Sequence, residues 1–415
     1  MRLRDANGLP RVVVTGLGAV SCVGTDACAL LDALRVRRHG LRHMDAFATL
    51  GMRSQVGGPV DIDRLQPEPP RKLRRFLPAP ARYAWHAANE ALAQAGLPPE
   101  RLAAADCGLV LGGGAALSEH EEALDNHRTR GIAKVSPFTV PRGMSSALSA
   151  CLAQAYGIGG ASYTVSSACT SGAHAIGHAM ELIQLGRQHV MLAGGAEELH
   201  PSTAMWFDAM GALSPQADPA QASRPFHRER DGFALAAGAG VLVLESLEHA
   251  QARGARVLAE LAGYGCATDA ASMVGPGAAG IARALGQALD RAGTLPGYVN
   301  AHACGTPGDL AEWQAIRAVF AGRGAPLPPL SSVKGLLGHA PGAAGALDAI
   351  ACLLMLQHDF LAAGAPLDEV DPDFADAPLL TANCEQRIDA ALSSSYGFGG
   401  SCAALLFRRF DEATA

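Results

Sequence analysis

The sequence predicts an α/β protein in which helices cover a buried sheet. Short apolar runs alternate with amphipathic stretches along the chain, glycine-rich turns separate them, and the same order recurs in the second half. With 415 residues, 49% of them hydrophobic, the chain can bury a large core as two linked units or one pseudo-duplicated unit.

The first strand is the β-branched run Val12-Val13-Val14-Thr15, followed by Gly16 and Gly18. Residues 81–96 form a helix that ends in glycine; Leu97-Pro98-Pro99 breaks it, and 107–111 is a strand. Tyr163 and Val165 alternate with smaller polar residues as in a strand, and Ala173, Ile176, Met180 and Ile183 then recur at helical spacing until Gly186. Residues 190–195 read as a buried strand. In the second half, 256–263 is strand-like, 279–292 a helix, 298–301 a strand ending at His302, and 343–357 a long apolar helix. The charged helical stretch 245–254 is the expected joint, dividing 1–253 from 254–415.

Composition excludes several classes of function. A formal net charge of −6 argues against a generally basic nucleic-acid binder, and no apolar segment has the length of a membrane span. Ten cysteines without paired CxxC spacing argue against structural zinc and a disulfide framework, and for reduced thiols in a cytoplasmic setting. The N-terminal run resembles a core strand more than a signal peptide. The glycines Gly112-Gly113-Gly114 lack the lysine and threonine of a phosphate loop, so no nucleotide site is expected.

Cys169 lies in Ser166-Ser167-Ala168-Cys169-Thr170-Ser171-Gly172, where a strand stops and a helix begins. Unpaired N–H groups and the helix dipole at such a turn favour a thiolate and offer donors to an oxyanion, so a nucleophile with a lowered pKa is expected. A cysteine among small residues is otherwise an ordinary buried hydrophobe. His302 opens a turn after its strand, His339 precedes a helix, and Tyr396-Gly397-Phe398-Gly399-Gly400 is a glycine-rich loop between two strands. Each stands where a loop leaves the sheet, so all can converge on one mouth.

Taken in order, the segments SSACTSG, SRPF..RDGF, NAH, VKGLLGHAPGAAG and YGFGG resemble the β-ketoacyl-ACP synthases, condensing enzymes of the thiolase superfamily. The stretches GGAEELH, FDAMGALS and LLMLQHDFLAAGAPLDEVDP are closest to synthase types I and II of fatty-acid synthesis, and the resemblance covers nearly the whole chain. It implies a thiolase-like five-layered αβαβα fold of two pseudo-duplicated halves. It also implies decarboxylative Claisen condensation of malonyl-ACP with a Cys-bound acyl chain, in fatty-acid or related polyketide and polyene synthesis. Carried over residue by residue, it makes Cys169 the acyl acceptor, His302 and His339 the pair that handles the malonyl group, and Lys334 and Glu312 their support, a lysine held by a carboxylate beside an imidazole. The oxyanion hole falls to the amides of Cys169 and Phe398, the gate of the acyl pocket to Ala115, Phe233 and Phe398, and pantetheine binding to Thr306 and Cys304. Arg71, Lys72 and Arg75, with Arg130 and Lys134, match the region that docks the acidic carrier protein. No permanent cofactor is implied; substrates arrive on the 4′-phosphopantetheine of acyl carrier protein. A homodimer is expected, with a heterodimer with a ketosynthase-like subunit as the alternative, and neither nucleic acid nor membrane as a partner.

Departures accompany the matches. After His302 the family has His-Gly-Thr-x-Thr-Pro-x-Gly-Asp, whereas this chain has the shorter Ala303-Cys304-Gly305-Thr306-Pro307-Gly308-Asp309; Cys304 replaces one pantetheine-binding hydroxyl with a weak hydrogen-bond partner. Ser394 stands where asparagine is expected, and Ser401-Cys402 where threonine and asparagine are. These changes fit a specialised polyene or polyketide synthase at least as well as an ordinary fatty-acid one. Two rival classes remain: a non-catalytic chain-length partner, a kind of subunit that loses the nucleophile this chain keeps, and a cysteine hydrolase, which leaves one histidine and the lysine without a role.

Overall fold

The computed structural model describes residues 2–275 and 277–411. The first half runs β1 (Val12–Ser21), α1 (Ala79–Ala95), β2 (Cys107–Gly112), α2 (Leu117–Arg130), β3 (Ser162–Val165), α3 (Ser171–Gln184), β4 (Val190–Glu197) and β5 (Gly238–Ser246), with shorter elements between them. The second runs β6 (Ala259–Thr268), α4 (Ala278–Ala292), β7 (Tyr298–Asn300), α5 (Gly308–Ala321), β8 (Leu330–Ser331), α6 (Pro341–His358), β9 (Ala390–Gly397) and β10 (Ser401–Arg408).

These ten strands lie in the order β8-β7-β9-β10-β6-β1-β5-β4-β2-β3. Read outward from the centre, each set of five follows one rule: first strand, fifth, fourth, second, third. The pairings repeat as well. In each half two antiparallel pairs lie towards the middle and two parallel pairs towards the rim. Within the sheet the two sets meet where Val13 and Val14 pair with Glu260 and Ala259.

Helix α1 covers β1 and β5 on one outside, and α4 covers β6 and β10 on the other. Between the sheets lie α3 and α6, packed on each other and on strands of both halves. Helix α6 is buried from Pro341 through Leu356, which is why its sequence is apolar on every face. The result is the expected thiolase-like five-layered αβαβα fold.

Glycine sets the spacing of the outer layers. A Cβ on Gly18 of β1 would lie 2.0 Å from the Ala87 carbonyl oxygen of α1, and one on Gly265 of β6 would lie 1.9 Å from the Ala284 oxygen of α4. The same close approach is thus built at equivalent places of both halves.

Two stretches depart from the sequence reading. The strand expected over 256–263 is β6, displaced to Ala259–Thr268. In 245–254, Glu245 and Ser246 finish β5, and the helix is confined to Leu247–Ala252, capped by the Ser246 hydroxyl. Glu245 is fully buried and accepts from Thr15, His249 and Arg253, so the charges of this stretch form an internal network.

Candidate active site

Strand β3 ends at Val165, and the chain reverses into α3 through a tight elbow. Ala168 sits there at φ 53°, a left-handed conformation that costs a residue with a Cβ on the order of 1–3 kcal/mol. Hydroxyls hold the bend. The Ser171 Oγ donates to the Ala168 carbonyl at 2.6 Å and accepts from the Ser167 N–H at 2.9 Å, while the Thr170 Oγ1 donates to the Ser167 carbonyl at 2.6 Å. Thr170 also meets the Ser401 hydroxyl at 2.7 Å, tying the elbow to the strand after the glycine-rich loop. The run of small hydroxyl residues around Cys169 is therefore the frame of the turn.

Cys169 is only 7% exposed and precedes the first helical residue, Ser171, by two positions. The expected lowering of its pKa does not occur. Burial pushes the thiol up to about 12; the Lys334 ammonium draws it down and the Glu197 carboxylate raises it further. Loss of water around the sulfur outweighs the Lys334 charge, so the resting group is a neutral thiol.

Cys169 opens on a cavity of ≈ 410 Å³ shared with His302, His339, Cys304, Phe233 and Phe398. Each histidine is 2% exposed; the rings lie 5.1 Å apart between centroids and nearly perpendicular at 87°. His302 rests on the Tyr396 ring at 4.2 Å, and His339 meets the Phe233 ring edge-on at 5.0 Å. The His339 backbone is pinned by hydrogen bonds to Ala234 and Ala236, both 2.8 Å. Burial and then the nearby Lys334 charge hold both imidazoles well below the usual histidine range, so both are neutral at neutral pH.

The carboxylate that holds Lys334 is not Glu312. Lys334, 1% exposed, pairs with Asp348 on α6 at 2.5 Å. Glu312, on α5, accepts instead from the backbone N–H groups of His302 and Ala303 at 2.8 and 2.9 Å and so fixes the chain at His302. Burial pushes Glu312 up to about 7. Asp309 does the corresponding work for the shortened turn: one carboxylate oxygen takes the amides of Cys304 and Thr306, the other those of Gly305 and Phe226, all within 3.0–3.2 Å. Four amides gathered on one buried carboxylate thus hold the shortened turn.

The remaining expected residues separate into two groups. Cys304, Thr306, Phe233 and Phe398 line the cavity, and the Cys304 thiol lies 3.6 Å from the Thr306 hydroxyl. Gly397 comes so close to Cys169 that a Cβ on it would lie 2.9 Å from the Cys169 nitrogen, which brings the residue before Phe398 against that amide. Ala115, expected at the acyl pocket, is half-buried just ahead of α2, outside the lining of this cavity. Arg71, Lys72, Arg75 and Arg130 are exposed, as is Lys134, with the Arg75 guanidinium resting over the Phe76 and Phe138 rings.

Sequence reading missed four participants. Asp348 carries no local motif, being an acid within an apolar helix, and Glu197 was signalled only by the GGAEELH stretch; Glu197, which accepts from the Gly342 amide at 2.9 Å, is pushed up to about 7 by burial. Asp309 was visible only as the end of a turn. Phe207 lies between the two gating aromatics, 5.6 Å from Phe233 and 6.1 Å from Phe398, and the FDAMGALS stretch was its only signal.

A buried thiol and two neutral imidazoles around one cavity suit acyl transfer to sulfur and stabilisation of an enolate. Residues 10–250 match the family described as beta-ketoacyl synthase, N-terminal domain, and residues 258–368 its C-terminal domain. The chain belongs to the β-ketoacyl synthase family. It is 41% identical over 408 residues to 3-oxoacyl-[acyl-carrier-protein] synthase 1 of Haemophilus influenzae, an alignment covering 97% of this chain and 99% of that protein. Among solved structures it resembles the ishigamide ketosynthase/chain length factor, with a TM-score of 0.87, 32% identity, and 97% and 100% of the two chains covered. It also resembles a type II polyketide synthase acyl-carrier protein in complex with its ketosynthase bound to the hexaketide, with a TM-score of 0.86, 30% identity and the same coverage. This β-ketoacyl synthase is thus a condensing acyltransferase of the kind used in fatty-acid and polyketide synthesis.

Proposed function

We propose that Cys169 receives an acyl chain from the phosphopantetheine thioester of an acyl carrier protein and that His302 and His339 direct its extension by two carbons. The reading rests on one observation: the thiol and both imidazoles face one cavity, the rings perpendicular at 5.1 Å. Transfer of the acyl group exchanges one thioester for another, so the proton leaving Cys169 ends on the departing pantetheine sulfur. The attacking species is the thiolate, so this proton leaves as the sulfur approaches the carbonyl. Malonyl thioester then loses carbon dioxide, and the electron pair of the broken bond becomes an enolate. Neutral imidazoles donate N–H bonds to its oxygen most strongly as charge develops, which is where donors lower a barrier. The enolate carbon attacks the Cys169 thioester, the amides of Cys169 and Phe398 hold the new oxyanion, and the expelled thiolate takes up a proton. Its raised pKa favours that return.

The pantetheine arm enters past Thr306 and Cys304, and the basic set Arg71, Lys72, Arg75 and Arg130 receives the acidic carrier. The halves divide at residues 253 and 254. Strand β3 lies at the end of the sheet with Tyr163 exposed, an edge that invites pairing with a second copy of this chain or with a ketosynthase-like subunit. All ten cysteines are free, which supports a reducing, cytoplasmic setting. No helix among the described residues is long and apolar enough to cross a membrane.

The test is mass spectrometry after acyl-ACP and then malonyl-ACP. Acylation of Cys169 followed by a two-carbon-longer product supports condensation. Free acid would indicate hydrolysis, and an unmodified Cys169 a scaffold subunit.

A further inference from the structure

His174, on the first turns of α3, links the Cys169 elbow to a second thiol. It is 7% exposed, and its Nδ1 lies 2.8 Å from the Ser167 hydroxyl and 3.4 Å from the Thr170 hydroxyl, two groups that shape the elbow. Its Nε2 lies 3.5 Å from the Sγ of Cys266 on β6. Cys266 is exposed and opens on a second cavity of ≈ 500 Å³, lined also by Tyr264, Glu181, Gln287 and Arg291. The Tyr264 side chain is 5% exposed, and its hydroxyl is buried without a well-formed hydrogen bond, with the Cys266 thiol as its polar neighbour. An accessible thiol, an imidazole placed to take its proton and a polar group awaiting a partner thus meet in one opening, and none of them serves the condensation directly.

We propose that Cys266 is a modification site for small disulfides, and that a mixed disulfide there slows condensation by displacing His174 from the hydroxyls that hold the elbow. The thiol proton passes to His174 Nε2, Sγ attacks one sulfur of the disulfide, and the S–S bond breaks. The departing thiolate recovers the proton, so Cys266 sulfur is oxidised, the released sulfur is reduced, and the products are the mixed disulfide and one free thiol. His174 is neutral, held below the usual histidine range chiefly by burial, and so has a lone pair for that proton. The new bond forms on the sulfur that lies 3.5 Å from His174 Nε2, the contact through which a shift of the imidazole reaches the elbow, and even a small misplacement of Cys169 costs rate.

The proposal concerns the condensing enzyme described above, and its test separates the two. Enzyme acylated on Cys169 from acyl-ACP, and so protected there, is treated with bis(2-hydroxyethyl) disulfide. Peptide mass spectrometry locates the adduct, and malonyl-ACP then reads the condensation rate. The expected result is an adduct at Cys266, a rate lower by about tenfold, recovery with dithiothreitol, and a Cys266→Ala enzyme that condenses normally and ignores the disulfide. An unmodified Cys266, an adduct with unchanged rate, or equal slowing of Cys266→Ala would overturn the proposal. Untreated enzyme that forms no longer product would instead count against the condensation reading.

Discussion

The lysine behind the histidines shows what sequence and structure each contribute at the scale of single residues. Lys334 is recognisable from its motif, but its counter-ion is Asp348, one turn-facing acid in an otherwise apolar helix. Breaking a fully buried pair strands the other charge, so Asp348→Ala is expected to cost roughly 3–5 kcal/mol in urea unfolding, while Lys334→Met with Asp348→Leu costs less. A double variant as unstable as the single one would show that the charge left behind is not the cause. Cys169 teaches a related lesson. Its position before a helix was legible, whereas its pKa depends on how completely the fold excludes water, which no local pattern records. The same is true of Asp309 and Glu312, whose carboxylates hold backbone amides of the turn and of His302 rather than side-chain charges.

At the scale of elements, strands and helices with strong periodicity or glycine punctuation were legible: α1 ends at Gly96 as read, and β2, α3, α4 and α6 stand within a few residues of their expected places. In the stretch 245–254 the helix is shorter than read because Glu245 and Ser246 finish β5, where Glu245 accepts from the Thr15 hydroxyl of the neighbouring strand. The spacing of β1 from α1 and of β6 from α4 depends on missing side chains. Gly18→Ala and Gly265→Ala are each expected to destabilise the fold by about 1–3 kcal/mol or more, since the added carbon meets backbone rather than a movable side chain. Thermal unfolding of either variant at the parent temperature would contradict this close packing. Glu197, joining the end of β4 to the Gly342 amide at the head of α6, predicts a pH dependence. Its pKa is raised from 4.5 to about 7 on folding, so between these values the folded state binds more protons than the unfolded. The associated stability is full below about pH 4.5 and lost as pH rises through about 7. Glu197→Gln should flatten that part of the stability curve relative to the parent; an unchanged slope would place the titration elsewhere.

Across the whole molecule, duplication explains why residues from positions 169, 302, 339 and 398 meet. Each half delivers its strand ends to one side of the sheet, and α3 and α6 bring the two sides together. The alternation of elements foretold two similar halves, but the identical strand order appears only in three dimensions. Of the residues expected at the acyl gate, Phe233 and Phe398 line the cavity, and Phe207 lies against both rings. The basic patch makes a prediction at this scale too. Lys72→Glu with Arg75→Glu should raise the KM for acyl-ACP and leave that for a small thioester mimic unchanged, with the difference shrinking in high salt; equal effects on both substrates would remove the patch from docking. The central claim is that His302 and His339 act on the malonyl group after Cys169 has been acylated. It is tested most directly by release of labelled carbon dioxide from malonyl-ACP carrying the label in its free carboxyl group, using enzyme already acylated on Cys169. His302→Ala and His339→Ala should still acylate at Cys169 but release label slower by roughly 100-fold or more, and variants that release it as fast as the parent would contradict the account.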